Sequence, residues 1–184
     1  MVHVTALRTI ISADPARRRI AGIVRSLALP DCWIGAGFVR NPVWDHLHGR
    51  EPTFPCSDVD IIWFDPGGAT REKDRRLEAA LHDLDPGVVW SVKNQARMHI
   101  RNGDAPYASS VDAMRFWPET ATSVAVRQTP SGEFEVAAAY GLADLFDLVL
   151  RPTPSFKGAR SKVFQERVRS KGWLRTWPLL RVVV

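Results

Sequence analysis

The chain has 184 residues, 45 % hydrophobic and 24 % charged, the balance of an ordinary globular protein. That balance excludes whole-chain disorder and fibrous repetition, and no apolar run approaches the ~20 residues of a membrane-spanning helix. The net charge of +5, from 25 Lys+Arg against 20 Asp+Glu, suits an anionic partner such as a nucleotide or nucleic acid. Arg8 and Asp14 interrupt any leader-like apolar stretch. The two cysteines, Cys32 and Cys56, read as free thiols of a reducing compartment, so the expected location is cytoplasmic.

In chain order, Asp14-Pro15 is a helix start, an acidic cap followed by proline at the first helical position. Ile20, Ile23, Val24 and Leu27 then form an apolar stripe that ends before Pro30. Cys32-Trp33-Ile34 predicts a short buried strand running into the small-residue turn Gly35-Ala36-Gly37. Val39, Val43, Trp44 and Leu47 resume helical spacing, with Pro42 tolerable if it lies in the first turn. Gly49 to Ser57 reads as loop, and Val59 to Phe64 as a strong strand in which Trp63 belongs to the core. Thr70 to Leu84 is a helix with a stripe of Leu77, Ala80, Leu81 and Leu84, and Val88 to Val92 is the next strand. Val111 to Phe116 is a short helix, and Ser123 to Arg127 with Phe134 to Ala138 form a hairpin across Pro130-Ser131-Gly132. Leu142 to Leu150 and Ser161 to Trp173 read as helices. From Arg151 to Arg181 nine basic residues face one acid, Glu166, and this face is either merely solvated or a guide for a polyanion.

These elements predict an α+β fold, a small mixed β-sheet flanked by helices. No linker or repeat divides the chain, so one domain spanning 1–184 is expected, with a helical N-terminus (1–30), a core (31–150) and a basic helical C-terminus (151–184).

Asp58 and Asp60 stand two apart at the head of the Val59–Phe64 strand, so both carboxylates project from one face. Like charges so placed repel unless a cation lies between them, and oxygen ligands suit Mg²⁺ or Mn²⁺. Upstream, a strand opening through Gly35-Ala36-Gly37 into a helix offers free N–H groups and a positive helix end for phosphate. Arg40 and Asn41, in the first turn, add donors for phosphates or for a nucleotide sugar. Arg97 and His99 share a face if their stretch is extended, and would then contact phosphate or an acceptor. His46 and His48 lack further soft ligands, which argues against zinc.

A glycine turn followed by Asp-x-Asp on the next strand resembles the polymerase-beta-like nucleotidyltransferase superfamily. The resemblance extends through Gly35 to Asp45, Asp58-Val59-Asp60, Trp90 to His99, Trp117 to Thr122, Tyr140 to Phe146 and the closing Trp173 to Pro178. Together these segments are similar to a bacterial nucleotidyltransferase-like family of poorly known function, with Asn94 to His99 and Trp117 to Thr122 the most specific. The resemblance implies a nucleotidyltransferase-type core and a divalent metal held by Asp58 and Asp60. It implies an NTP held at Gly35, Gly37, Arg40, Asn41, Asn94 and Arg97, and transfer of a nucleoside monophosphate to a hydroxyl acceptor with release of pyrophosphate. Catalytic members carry a third carboxylate on a later strand. Here Asn94 follows that strand, and Glu119 is the favoured third acid, with Asp112 or no acid as the other readings. Without one, the chain would be a non-catalytic nucleotide- or RNA-binding module. A protein-interaction subunit using the basic C-terminal face, which otherwise suits nucleic acid, is a further alternative.

Overall fold

The computed structural model describes residues 2–53 and 58–183. Two helices, α1 (Val2–Ala13) and α2 (Pro15–Ser26), meet at Asp14, whose Oδ1 accepts from the N–H groups of Ala16 (2.9 Å) and Arg17 (3.1 Å). Strand β1 (Trp33–Gly35) enters helix α3 (Gly37–Leu47), and β2 (Val59–Trp63) leads to α4 (Arg71–Leu84), capped by the Thr70 hydroxyl. Next come β3 (Trp90–Asn94), α5 (Met98–Asn102), α6 (Ser110–Met114) and the hairpin β4 (Val124–Gln128) and β5 (Phe134–Ala138). The chain closes with α7 (Ala143–Phe146), β6 (Val149–Leu150), α8 (Ser161–Lys171), α9 (Trp173–Thr176) and β7 (Arg181–Val182).

The five-stranded sheet has the order β3-β2-β1-β4-β5, parallel between β2 and β3 and antiparallel elsewhere. Alternation splits its residues between two faces. Ile34, Val59, Ile61, Trp63, Val92, Val124 and Val126 join α1, α2 and α3 in the main core, where Trp63 is fully buried. Trp33, Ile62, Ala125 and Ala137 pack on the opposite face with Met114 of α6. Asp60 alternates with Val59 and Ile61 and therefore shares this second face with Ile62. Because β1 and β2 are antiparallel, with Trp33 level with Ile62 and Ile34 with Ile61, the next step brings Gly35 level with Asp60. This register sets the glycine turn beside the paired carboxylates.

The exposed edge of β3 is closed by α4. Glu78 Oε1 accepts from the N–H of Val92 (2.8 Å), and Asp74 accepts from the N–H of Asn94 (3.1 Å) and from Trp63 Nε1 (2.9 Å). Lys93 Nζ neutralises Glu78 at 2.7 Å, and Arg97 ion-pairs with Asp74. A bare strand edge is a template for unwanted pairing, and two carboxylates at i and i+4 of one helix remove it here.

Several expectations are corrected. Pro42 lies beyond the first turn of α3, in its interior. Its missing N–H would leave the Phe38 carbonyl open. The buried Arg17 Nε donates to that oxygen at 3.1 Å, which is why the helix continues. The stretch 142–150 is not one helix: Leu148, with φ 56°, ends α7, and Val149 and Leu150 pair in parallel with Arg181 and Val182. The strand expected at 88–92 runs from Trp90 to Asn94, and residues 95–102 form a 3₁₀ turn and α5, so Arg97 and His99 do not share an extended face. The final helix divides at Gly172, which takes φ 63°. Cys32 is a free thiol that burial pushes up to about 12, beyond ready ionisation, while Cys56 lies outside the described residues. Among the described residues no helix is long and apolar enough to cross a membrane.

Candidate active site

The turn between β1 and α3 is tight. Ala36 adopts φ 51° and ψ −121°, a conformation that strains any residue with a Cβ, and its N–H bonds the Val124 carbonyl at 3.2 Å. A Cβ at Gly35 would stand 2.8 Å from Trp117 Cη2. The glycine there makes room for the Trp117 indole.

Asp60 is half-buried. Burial, then the charge of Asp58, push its carboxyl up to about 6, while Arg40, Lys171 and a hydrogen bond with Ser91 pull the other way. Asp58 is exposed beside it. Facing them, Arg40 is only 7 % exposed, with its guanidinium over the rings of Trp44 (5.0 Å) and Trp173 (4.6 Å). Asn41 Oδ1 accepts from its Nε (3.1 Å) and Nη2 (2.9 Å). Among the described residues Arg40 forms no ion pair. Burial lowers its pKa to about 10, with Glu119 and Asp60 supporting the charge and Arg167 opposing it, so it is a cation at neutral pH. Helix α8 delivers Arg167 and Lys171, four residues apart on one face, to the same place.

Two clefts meet at Ala36, Asp60 and Arg167. One, of about 220 Å³, is lined by Gly37, Arg40, Asn41, Asp58 and Lys171. The other, of about 230 Å³, is walled by Ile62, Met98 and Trp117 with the polar groups of Lys93, Gln95 and Asn102. The first concentrates cations around a carboxylate pair at the start of a helix, a phosphate environment. The second is apolar with polar corners, a shape suited to a ring or a sugar.

Gly35, Gly37, Arg40, Asn41, Asp58 and Asp60 are thus brought together. Glu119 lies behind them, fully buried: Oε1 accepts from Arg167 Nε (2.8 Å) and Oε2 from the Thr122 hydroxyl (2.8 Å). It lines neither cleft and reaches the site by its ion pair with Arg167. Asn94 stands three strand residues beyond Asp60, ~10 Å away along the ladder. Its fully buried amide ties β2 to β3, donating to the Asp65 carbonyl at 2.9 Å and accepting from the N–H groups of Ala96 (3.0 Å) and Asp65 (3.3 Å). Arg97 is bound to Asp74 and lines a different cleft. Asp112 accepts from the Ala108 N–H and lines neither of the two. His46 is exposed, and His48 accepts from the N–H of Leu179 at 3.1 Å.

Among the described residues no cluster of three or more acids, histidines or cysteines is arranged for a metal. The Asp58/Asp60 pair nonetheless suits Mg²⁺, which commonly takes one or two carboxylates and completes its shell with water and substrate phosphate. The crowding of two carboxylates at one strand head is what a cation relieves. Reading the sequence missed Arg167, Lys171 and Trp173. The basic, tryptophan-bearing C-terminal segment was the signal, but only the packing of α8 and α9 gives those residues an address.

A family model described as nucleotidyltransferase matches residues 22–182. An NMR structure described as revealing a CCA-adding enzyme head domain is 35 % identical, with a TM-score of 0.85 over 96 % of this chain and 94 % of that one. The Thermotoga maritima CCA-adding enzyme complexed with tRNA is 15 % identical, with a TM-score of 0.56 over 98 % of this chain and 42 % of that one. A CCA-adding enzyme in complex with ATP is 18 % identical, with a TM-score of 0.53 over 96 % of this chain and 41 % of that one. At these lower identities the likeness is one of fold, and the chain spans less than half the length of these two enzymes. No curated protein matches the sequence. With a family model matching most of the chain, over a polymerase-beta-like nucleotidyltransferase fold, the chain belongs to this nucleotidyltransferase family.

Proposed function

We propose that the chain transfers a nucleoside monophosphate from an NTP to a hydroxyl acceptor and releases pyrophosphate. One observation carries this reading: the carboxylates of Asp58 and Asp60 share one cleft with three cations, Arg40, Arg167 and Lys171. The cations match a triphosphate and the carboxylates match a divalent ion. Mg²⁺ or Mn²⁺ held by Asp58 and Asp60 would supply charge neutralisation and Lewis acidity at the reacting phosphate.

The chain's own groups do the rest. Gly37, at the start of α3, turns backbone N–H toward the phosphates. Arg40, fixed by Asn41, and Lys171 hold the departing pyrophosphate. Glu119 is a positioning residue that keeps the Arg167 guanidinium over the junction of the two clefts. The acceptor enters by the cleft of Trp117 and Met98. Its oxygen bonds the α-phosphorus as the bond to the β-phosphate oxygen breaks, and Asp60 takes the hydroxyl proton. ATP is the nucleotide to try first, because a structure with this fold is described with it, and CTP is the comparison.

A second reading, a nucleotide-binding module without transfer, is favoured by one observation: Glu119 is paired with Arg167 and, among the described residues, Asp58 and Asp60 are the only carboxylates lining the two clefts. Calorimetric titration of ATP and CTP, with Mg²⁺ and with EDTA, tests the proposal against Asp58→Asn and Asp60→Asn. Metal-dependent binding that each variant weakens at least tenfold is expected. Parent protein that binds no NTP would overturn the reading, and binding without pyrophosphate release on any acceptor would leave the module.

A further inference from the structure

A third cleft, of about 340 Å³, lies between α4 and α5 and adjoins the acceptor cleft, since Lys93 and Met98 line both. The register shows how close it comes to the chemistry. Asp60 is level with Ser91 of β3, and Lys93 is two residues further on the same face, ~7 Å along the strand.

The cleft carries a surplus of positive charge. Its two acids, Asp74 and Glu78, are committed to the β3 edge and are already neutralised by Arg97 and Lys93. Arg71, Arg75 and Arg101 are then left over. All three are exposed, and among the described residues none forms an ion pair or side-chain hydrogen bond, although Arg75 is near enough to help hold Glu78 ionised. Arg71 and Arg75 are one turn apart on α4, and Arg101 comes from α5. Arg97 adds a buried Nε–H that has no partner among the described residues. Three uncompensated guanidinium groups and an unpaired donor around one concavity form an anion site. Their forked donors favour phosphate oxygens.

We propose that the acceptor is a phosphate-bearing molecule. Its phosphate occupies the cleft of Arg71, Arg75 and Arg101 while its hydroxyl reaches Asp60 past Met98 and Trp117. The site of transfer rests on the nucleotidyltransferase reading, but the anion site stands on its own residues. Three cations of α8 are otherwise placed, since Arg167 and Lys171 line the triphosphate cleft and Arg169 lies near Glu166.

The test compares the parent with Arg71→Ala/Arg75→Ala/Arg101→Ala. A control variant removes three exposed cations elsewhere, Arg8→Ala/Lys157→Ala/Arg175→Ala. The probes are a labelled single-stranded RNA decamer, read by anisotropy across a salt series, and ribose 5-phosphate, read by calorimetry. Binding of MgATP is measured on every protein. We expect the cleft variant to bind at least one probe tenfold or more weakly, with MgATP binding unchanged. For the decamer, the slope of log K against log salt should fall by about 2, the share of three phosphate contacts on a single strand. Loss confined to the decamer assigns a nucleic-acid strand, and loss confined to ribose 5-phosphate assigns a small phosphate ester. The inference is overturned if the parent binds neither probe, if the cleft variant binds within twofold of the parent, or if the control loses as much. Failure to bind MgATP alone would sink the transfer reading and leave the anion site standing.

Discussion

Asp60 sits on β2 with the charge of Asp58 beside it, and burial first, then that charge, raise its carboxyl from 3.8 to about 6. The folded chain thus holds this proton more tightly than the unfolded chain does. Stability at this residue therefore falls as pH rises from about 4, where the unfolded chain ionises, to about 6, and above pH 6 the full cost of about 1–3 kcal/mol persists in the absence of a cation. Asp60→Asn should therefore stabilise the protein by that amount at pH 8 in EDTA, and by little at pH 4. Urea denaturation of both proteins at the two pH values checks it, and equal gains at both would refute the electrostatic origin. The pair itself was legible because strand periodicity alone puts Asp58 and Asp60 on one face. The roles of Glu119 and Asn94 were not. Either residue type can face a cation or be tied up in hydrogen bonds, and the choice is made by Arg167 and Thr122 in one case and by Asp65 and Ala96 in the other.

Helix α3 crosses Pro42 because α2 sends Arg17 to the orphaned carbonyl. Arg17 Nε binds the Phe38 oxygen, Nη2 binds the Thr53 carbonyl at 3.2 Å, and a further contact reaches Asp14. Arg17→Met should cost about 2–4 kcal/mol, since it strands buried acceptors and a partly buried acid. Pro42→Ala supplies an N–H to the same carbonyl, so Arg17→Met should cost less in that background. A double-mutant cycle by chemical denaturation measures the coupling, and simple additivity would rule it out. Elements set by their own residues, such as α2, β2, α4 and the β4–β5 hairpin, were legible from caps, stripes and turns. The two-residue strands β6 and β7 were not, because each exists only through pairing with a partner some thirty residues away.

Across the whole molecule, the C-terminal segment closes the site from behind. Trp173 and Trp177 meet Trp44 edge-on at 5.9 and 5.1 Å, Trp177 Nε1 donates to the buried Asp45 at 2.8 Å, and Leu180 lies in the core. A chain ending at Gly172 should lose at least the ~3–5 kcal/mol associated with one large aromatic, together with near-ultraviolet dichroism and MgATP binding. Trp177→Phe should keep the packing and cost about 1 kcal/mol for the lost hydrogen bond. A truncated chain as stable as the parent would show the segment to be an accessory strap.

The amino-acid sequence by itself determined the local features: the capped helices, the apolar strands, the Gly35–Gly37 turn and the two carboxylates at one strand head. Each depends on neighbours within a few positions, where backbone sterics and side-chain period decide. Only the tertiary structure set Gly35 level with Asp60, filled the glycine's space with Trp117, and brought Arg167 and Lys171 across more than a hundred residues to the carboxylates. It also withdrew Glu119 and Asn94 from the cleft and joined the arginines of α4 and α5 into one basic site. A polar side chain's role depends on which partner satisfies it, and those partners are chosen by packing between segments far apart in the chain.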